Sequence, residues 1–246
     1  MDFSPDGRFL ISGSFDGTVR IWNMRDGSSR IFNHSNHDVF SVRFSPDGRR
    51  LAAGNEGGEV LIWELRSGHL VALLDGIQSD YVDNVDFMPN GKGLVIGSWD
   101  KTLKYQDITG LSSAWMPDEK GHDEEADGAE KKGNFTFVGH TVCPFLLPSI
   151  LVPDSDCFPL QDKVLSVSIS PDGHWIVSGS VDHTVRIWNT RTGTQQCMLQ
   201  GHKGSVSSVS FRPAGGFFAS ADYEGTVRIW SYKDVSRFCL TFQPIV

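Results

Sequence analysis

The sequence predicts an all-β protein, a β-propeller of four-stranded antiparallel blades, and three observations predict it. A segment running from a turn through two strands recurs five times along the 246 residues. One column of that repeat holds Trp22, Trp63, Gln106, Trp188 and Trp230, at spacings of 41, 43, 82 and 42 residues, the third being about two periods. Turn-forming residues are frequent, with 26 Gly and 11 Pro.

The repeat reads as strands, taken in order. FSPDGRFLISGSFDGTVRIWN begins at Phe3, and FSPDGRRLAAGNEGGEVLIWE at Phe44. FMPNGKGLVIGSWDKTLKYQD, from Phe87, is degenerate, with Gln106 in the tryptophan column. ISPDGHWIVSGSVDHTVRIWN begins at Ile169 and FRPAGGFFASADYEGTVRIWS at Phe211. Within a repeat, an alternating run such as Val206, Val209 and Phe211 leads into a PDG-type turn, where Pro presets one backbone angle and Gly permits a positive one. A short small-residue strand (176–180) follows, then an Asp-containing turn, then a β-branched strand ending at Trp188. A further turn, Arg191-Thr192-Gly193, leads to a fourth strand over 196–199. Four short strands per 41–43 residues define a blade. After Trp230 a final strand over 236–242 is weakly marked.

One propeller over 1–246 is therefore expected, interrupted by two inserts that lengthen the third spacing. The first, 109–136, contains an acidic run, 118–132, with seven Asp/Glu against three Lys, and predicts a solvated disordered excursion. The second, 142–161, has four prolines and no alternation. Removing it leaves GHTDKVLSVSIS, which matches GHKGSVSSVSF of the next repeat. Val142-Cys143 can be encoded with a splice-donor string and Gln161 as an acceptor CAG, so a translated intron is the reading of this segment; a genuine apolar surface loop is the alternative.

Composition narrows the function. The net charge of -8 argues against nonspecific nucleic-acid binding, which draws on Lys/Arg clusters. Four cysteines without CxxC spacing favour a reducing compartment. The most apolar window, 142–152, is shorter than the about 20 residues that span a bilayer. With no leader after Met1, a soluble intracellular protein is expected. The glycine-rich turns lack phosphate-loop spacing and the eight histidines lack HxxxH pairs, so no cofactor and no metal are expected. Arg20, Arg186 and Arg228 recur in TVRIW on the side away from the Trp, a structural feature rather than an anion site.

These repeats resemble the WD-repeat family. The resemblance implies a structural tetrad of His, Ser/Thr, Asp and Trp in each blade, and a protein-binding role. The tetrad maps onto His140, Ser178, Asp182 and Trp188 in the fourth repeat. It maps onto His202, Ser220 and Trp230 in the fifth, with Glu224 in the Asp column, and onto Ser12, Asp16 and Trp22 in the first. The second repeat has Ala53 and Gly57 in the Ser and Asp columns, and the third keeps Asp100 alone. A His-Ser-Asp set recurring in each period beside a Trp suits a buried hydrogen-bond network rather than a catalytic triad, and no enzyme activity is expected. Seven blades are common in the family; five recognisable ones, with Met1-Asp2-Phe3 aligning inside a strand, predict the C-terminal part of a longer protein.

Propellers bind through end loops. The residue before the turn Asp is Phe15, Glu56, Trp99, Val181 or Tyr223, so Phe15, Trp99 and Tyr223 are expected to face a protein partner. Phe40 and Tyr81, near the starts of inner strands, are expected to extend that surface.

Within the family, TVRIWN repeats closing in ADYEGTVRIWSYK, and a polar insert before TFVGH and DKVLSVSISPDG, resemble the C-terminal propeller of the fungal Tup-type general transcriptional corepressors. That likeness implies a nuclear scaffold recruited by DNA-bound repressors alongside other corepressor subunits, without direct nucleic-acid or membrane contact. It also implies that the helical oligomerisation segment lies outside this chain. The alternative is a WD scaffold elsewhere, cytoplasmic or nuclear, such as a ubiquitin-ligase substrate receptor or a signalling assembly; no F-box is visible.

Overall fold

The structure is a computed structural model, and it describes residues 1–32, 36–111, 135–138, 141–142 and 160–232. The acidic run, His140, most of the 142–161 insert and the weak final strand lie outside the described residues. The chain divides into two compact units, residues 1–96 with 104–136 and residues 97–103 with 137–246. Strands alone make up the regular structure of the described residues.

In the first unit, β1 (Asp2–Phe3), β2 (Phe9–Gly13), β3 (Val19–Asn23) and β4 (Ser29–Phe32) pair in chain order. A second sheet follows the same order through β5 (Val39–Phe44), β6 (Arg50–Asn55), β7 (Val60–Glu64) and β8 (Leu70–Leu74). The third repeat forms β9 (Val82–Phe87), β10 (Gly93–Ser98), β11 (Thr102–Asp107) and β12 (Phe135–Val138). In the second unit, β13 (Thr141–Val142) pairs with β14 (Leu160–Gln161), placing Thr141 opposite Gln161 at the base of the second insert. β15 (Val164–Ile169), β16 (Trp175–Ser180), β17 (Val185–Asn189) and β18 (Gln195–Leu199) form the fourth sheet. β19 (Val206–Phe211), β20 (Phe217–Asp222) and β21 (Val227–Ser231) form the fifth. These five meandering antiparallel sheets are blades of a β-propeller.

The turns show why the sequence folds this way. Ser4 Oγ donates to Asp6 Oδ1 (2.6 Å) and accepts from the Phe9 N–H (2.9 Å). The Gly7 N–H closes the turn on the Ser4 carbonyl at φ +68°, a conformation that glycine adopts without steric cost. Ser45–Asp47 and Ser170–Asp172 repeat the device. Register repeats too, with Leu10, Leu51, Ile176 and Phe218 opposite Trp22, Trp63, Trp188 and Trp230.

Each core lies between consecutive sheets. In the first unit, Val19 and Ile21 share a cluster with Val39, Val42 and Phe44, and Val60 and Ile62 share one with Val82, Val85 and Phe87. In the second, Val185 and Ile187 pack with Val206, Val209 and Phe211. Fully burying one such aliphatic side chain contributes about 1.5–3 kcal/mol. A glycine column permits the close approach: a Cβ on Gly179 would lie 2.6 Å from Val206 Cγ1, and one on Gly13 2.6 Å from Val39 Cγ1.

Candidate functional site

Two constellations bear on function, a buried polar network and an exposed aromatic end. In the fifth blade, Trp230 Nε1–H donates to Ser220 Oγ (2.8 Å), which lies 2.6 Å from His202 Nε2. His202 Nδ1 lies 2.7 Å from Asp222 Oδ2, and Asp222 Oδ1 accepts the Thr226 N–H at 2.8 Å. An ionised Asp222 can only accept, so Nδ1 carries a proton toward it, and in the neutral ring Nε2 accepts from the Ser220 hydroxyl. The chain of donors thus runs unbroken from the indole to the carboxylate. Burial alone would raise the Asp222 pKa, but the Thr226 N–H and the His202 ring outweigh it and hold the carboxyl at about 2.

The acid of this network is Asp222, not Glu224. Glu224 occupies the aligned column but is exposed, whereas Asp222 reaches His202 from the end of β20. The SAD of this repeat, against SGS in the first and fourth, is the signal that alignment by turn length passes over. In the first, third and fourth blades the column residue serves its own turn. Asp16, Asp100 and Asp182 each accept from the backbone and hydroxyl of the Thr two positions on. Asp182 also holds Arg186 through a 3.2 Å ion pair, both side chains buried, and Arg186 donates to Gln195 as well. Burial lowers the Arg186 pKa, and the Asp182 charge opposes that shift. Trp22 and Trp188 donate to Ser12 (3.0 Å) and Ser178 (2.9 Å). In the second blade the Trp63 indole nitrogen has no hydrogen-bond partner, and Ala53 stands in the serine column.

The aromatic end is built by backbone bonds that fix each turn beside the start of an inner strand. Glu56 N–H donates to the Asp38 carbonyl, Val181 N–H to Lys163 and Tyr223 N–H to Ser205. Val39 N–H likewise donates to the Ser14 carbonyl, next to Phe15. In the first unit this brings Phe15 against Phe40, edge to face at 5.6 Å, and Phe40 against Tyr81, stacked at 5.8 Å. Phe15 remains 71% exposed. A hydrogen bond from the Tyr81 hydroxyl to Glu56 raises the phenol pKa, and the charges of Glu56, Asp80 and Asp38 add to it. The row is therefore apolar along its length and acidic along its flank.

In the second unit Tyr223 is 73% exposed. Trp99 is half-buried and carries the Lys163 ammonium 3.3 Å above its ring, a cation–π contact that the sequence reading did not foresee. Phe15 thus associates with Phe40 and Tyr81, while Trp99 presents a cation-capped face.

Repeated four-stranded blades, serine-bound tryptophans and end loops carrying exposed aromatics define a class of repeat protein that holds other molecules on a rigid frame. The family described as WD domain, G-beta repeat matches residues 1–23, 28–64, 68–107, 157–189 and 193–231, and the chain belongs to it. A stretch of 46 residues is 56% identical to the transcriptional repressor rco-1 of Neurospora crassa, covering 19% of this chain and 8% of that protein, consistent with the Tup-type resemblance. Over 202 residues the chain is 33% identical to the small ribosomal subunit protein RACK1 of Caenorhabditis elegans, covering 81% of this chain and 50% of that protein. The chain thus spans half or less of the length of these two relatives.

Proposed function

We propose that the chain is the docking propeller of a nuclear transcriptional corepressor, a non-enzymatic scaffold that DNA-bound repressors recruit through the aromatic end. The Phe15–Phe40–Tyr81 row carries this reading, because half-buried Phe40 and Tyr81 lead to an exposed Phe15 ring that a partner would take out of water. The identity to a transcriptional repressor supports the corepressor assignment. Ser220 and His202 are buried and the serine oxygen already accepts an indole N–H, which supports a structural rather than hydrolytic role for that set. Within the second unit by itself, Trp99 and Tyr223 are the candidate partner contacts.

The test tethers the chain to a reporter promoter and asks which DNA-binding repressors it retains. Phe15→Ala with Tyr81→Ala is expected to cut repressor capture at least tenfold while the protein stays folded. Unchanged capture by the folded double variant rejects the aromatic row. Trp99→Ala with Tyr223→Ala tests the second unit in the same way.

A second reading, a scaffold in a ribosomal assembly, draws on the longer likeness to RACK1. Co-sedimentation with small ribosomal subunits, together with exclusion from nuclei, would favour it over the corepressor.

A further inference from the structure

We propose that the aromatic end of the first unit takes a cationic side chain, an arginine or lysine on a basic segment of the partner protein, over the ring of Phe15. The inference rests on the docking reading and names the chemistry of the partner at that same surface.

Internal repetition shows what the ring fits. Phe15 and Trp99 hold the same column, directly before the turn residues Asp16 and Asp100. Asp38 and Lys163 hold a second column, directly ahead of Val39 and Val164 at the starts of β5 and β15. Their carbonyls accept equivalent N–H groups, those of Glu56 and Val181. In the second unit, taken by itself, the column partner of Trp99 is Lys163, whose ammonium lies 3.3 Å from the centre of the indole ring. In the first unit the column partner of Phe15 is Asp38. The Val39 N–H donates to the Ser14 carbonyl at 3.0 Å, and Asp38 and Phe15 are the chain neighbours of that bonded pair. Phe15 is exposed, and a carboxylate residue stands where the other ring has its cation. The aromatic face and the negative charge are both in place, and the cation is the component a partner brings.

The rest of the row has the same sign. Phe40 meets Phe15 edge to face and stacks on Tyr81, so the aromatic surface continues past the exposed ring. The Tyr81 hydroxyl is bonded to Glu56, and the charges of Glu56, Asp80 and Asp38 all act on it. A guanidinium suits both parts of this surface, since it stacks on an aromatic face while its in-plane N–H groups reach a carboxylate. The net charge of -8 draws a basic segment toward the chain from a distance. An acidic segment would instead set like charges against one another.

The test uses the whole chain and a fluorescein-labelled peptide of glycine and serine that carries several arginines, read by fluorescence anisotropy. The same peptide with citrulline for arginine keeps the shape and loses the charge. The arginine peptide is expected to bind, and the citrulline peptide to bind about tenfold more weakly. Phe15→Leu, which keeps apolar area without an aromatic face, should weaken the arginine peptide about three- to fivefold, and Phe15→Trp should tighten it. Asp38→Lys recreates at Phe15 the capped pair found at Trp99 and should abolish binding, while Asp38→Asn should weaken it. Glu64→Lys makes the same change of charge at the opposite end of β7 from Glu56 and should leave the affinity close to that of the unsubstituted chain. Circular dichroism checks that each variant is folded.

Equal binding of the two peptides, binding of neither, indifference to Phe15→Leu and Asp38→Lys, or equal weakening by Asp38→Lys and Glu64→Lys overturns the proposal. The docking reading fails separately. Repressor capture that is lost in Phe15→Ala with Tyr81→Ala but persists in Asp38→Lys keeps the docking surface and rejects the cation. An arginine peptide held through Phe15 by a chain that captures no repressor does the reverse.

Discussion

The indole nitrogen of Trp63 lies buried without an acceptor because Ala53 occupies the position from which serine meets the tryptophan in three other blades. A buried donor left unsatisfied costs about 1–3 kcal/mol, while a methyl-to-hydroxymethyl change adds one heavy atom. Ala53→Ser is therefore expected to raise unfolding stability by about 1 kcal/mol in urea titration followed by tryptophan fluorescence. Ser178→Ala, which removes the acceptor of Trp188, should lower it by about 1–3 kcal/mol. A neutral Ala53→Ser would show that the pocket beside Trp63 has no room for the oxygen.

Asp222 gives the fold an acid limit. Its carboxyl is held near 2 in the folded chain, below its ordinary value of 3.8. A depressed folded pKa contributes stability that is present above the unfolded value and is lost as pH falls through the folded one. The network should therefore weaken between about pH 4 and pH 2. Asp222→Asn is expected to be less stable at pH 7 and to show a shallower acid limb; an acid limb of unaltered slope would remove Asp222 from the account. Glu224→Gln, an exposed substitution, should by contrast leave stability at pH 7 unchanged.

At Gly179 the backbone approaches Val206 too closely for a side chain, with an added Cβ 2.6 Å from Val206 Cγ1 and 3.0 Å from its carbonyl oxygen. Overpacking of this kind costs about 1–3 kcal/mol, and Gly179→Ala should lower the thermal midpoint accordingly. The fifth sheet already carries Ala221 in that column. Ala221→Gly should accordingly bring no gain from relieved crowding, a contrast that calorimetry on the two variants can read directly.

Deleting 142–161 should leave the chain folded. Thr141 faces Gln161 across a two-stranded ladder, so the points to be rejoined already lie side by side. Expressed without these residues, the chain is expected to keep its strand signal and unfold cooperatively at the same or a higher denaturant concentration. Sequencing of the mature messenger across the junction tests the intron reading on its own terms.

The repeat made most of the architecture legible. Tryptophan columns, PDG turns and alternating strands each depend on residues a few positions apart, so a linear reading captures them. The Asp222 network was misplaced because two blades satisfy their turns from different positions. Asp182 caps Thr184 from within the turn, while Asp222 caps Thr226 from the strand end. The cation over Trp99 and the stacking of Phe40 on Tyr81 join residues from separate repeats, and spacing within one repeat carries no trace of them.

The turn in which Ser4 bonds Asp6 and Phe9 satisfies its own polar groups within six residues, and Ser45 and Ser170 do the same in theirs. Such a hinge owes nothing to distant sequence. Whole blades can therefore be duplicated, lost or exchanged as cassettes during evolution, since each brings along the wiring of its own corner.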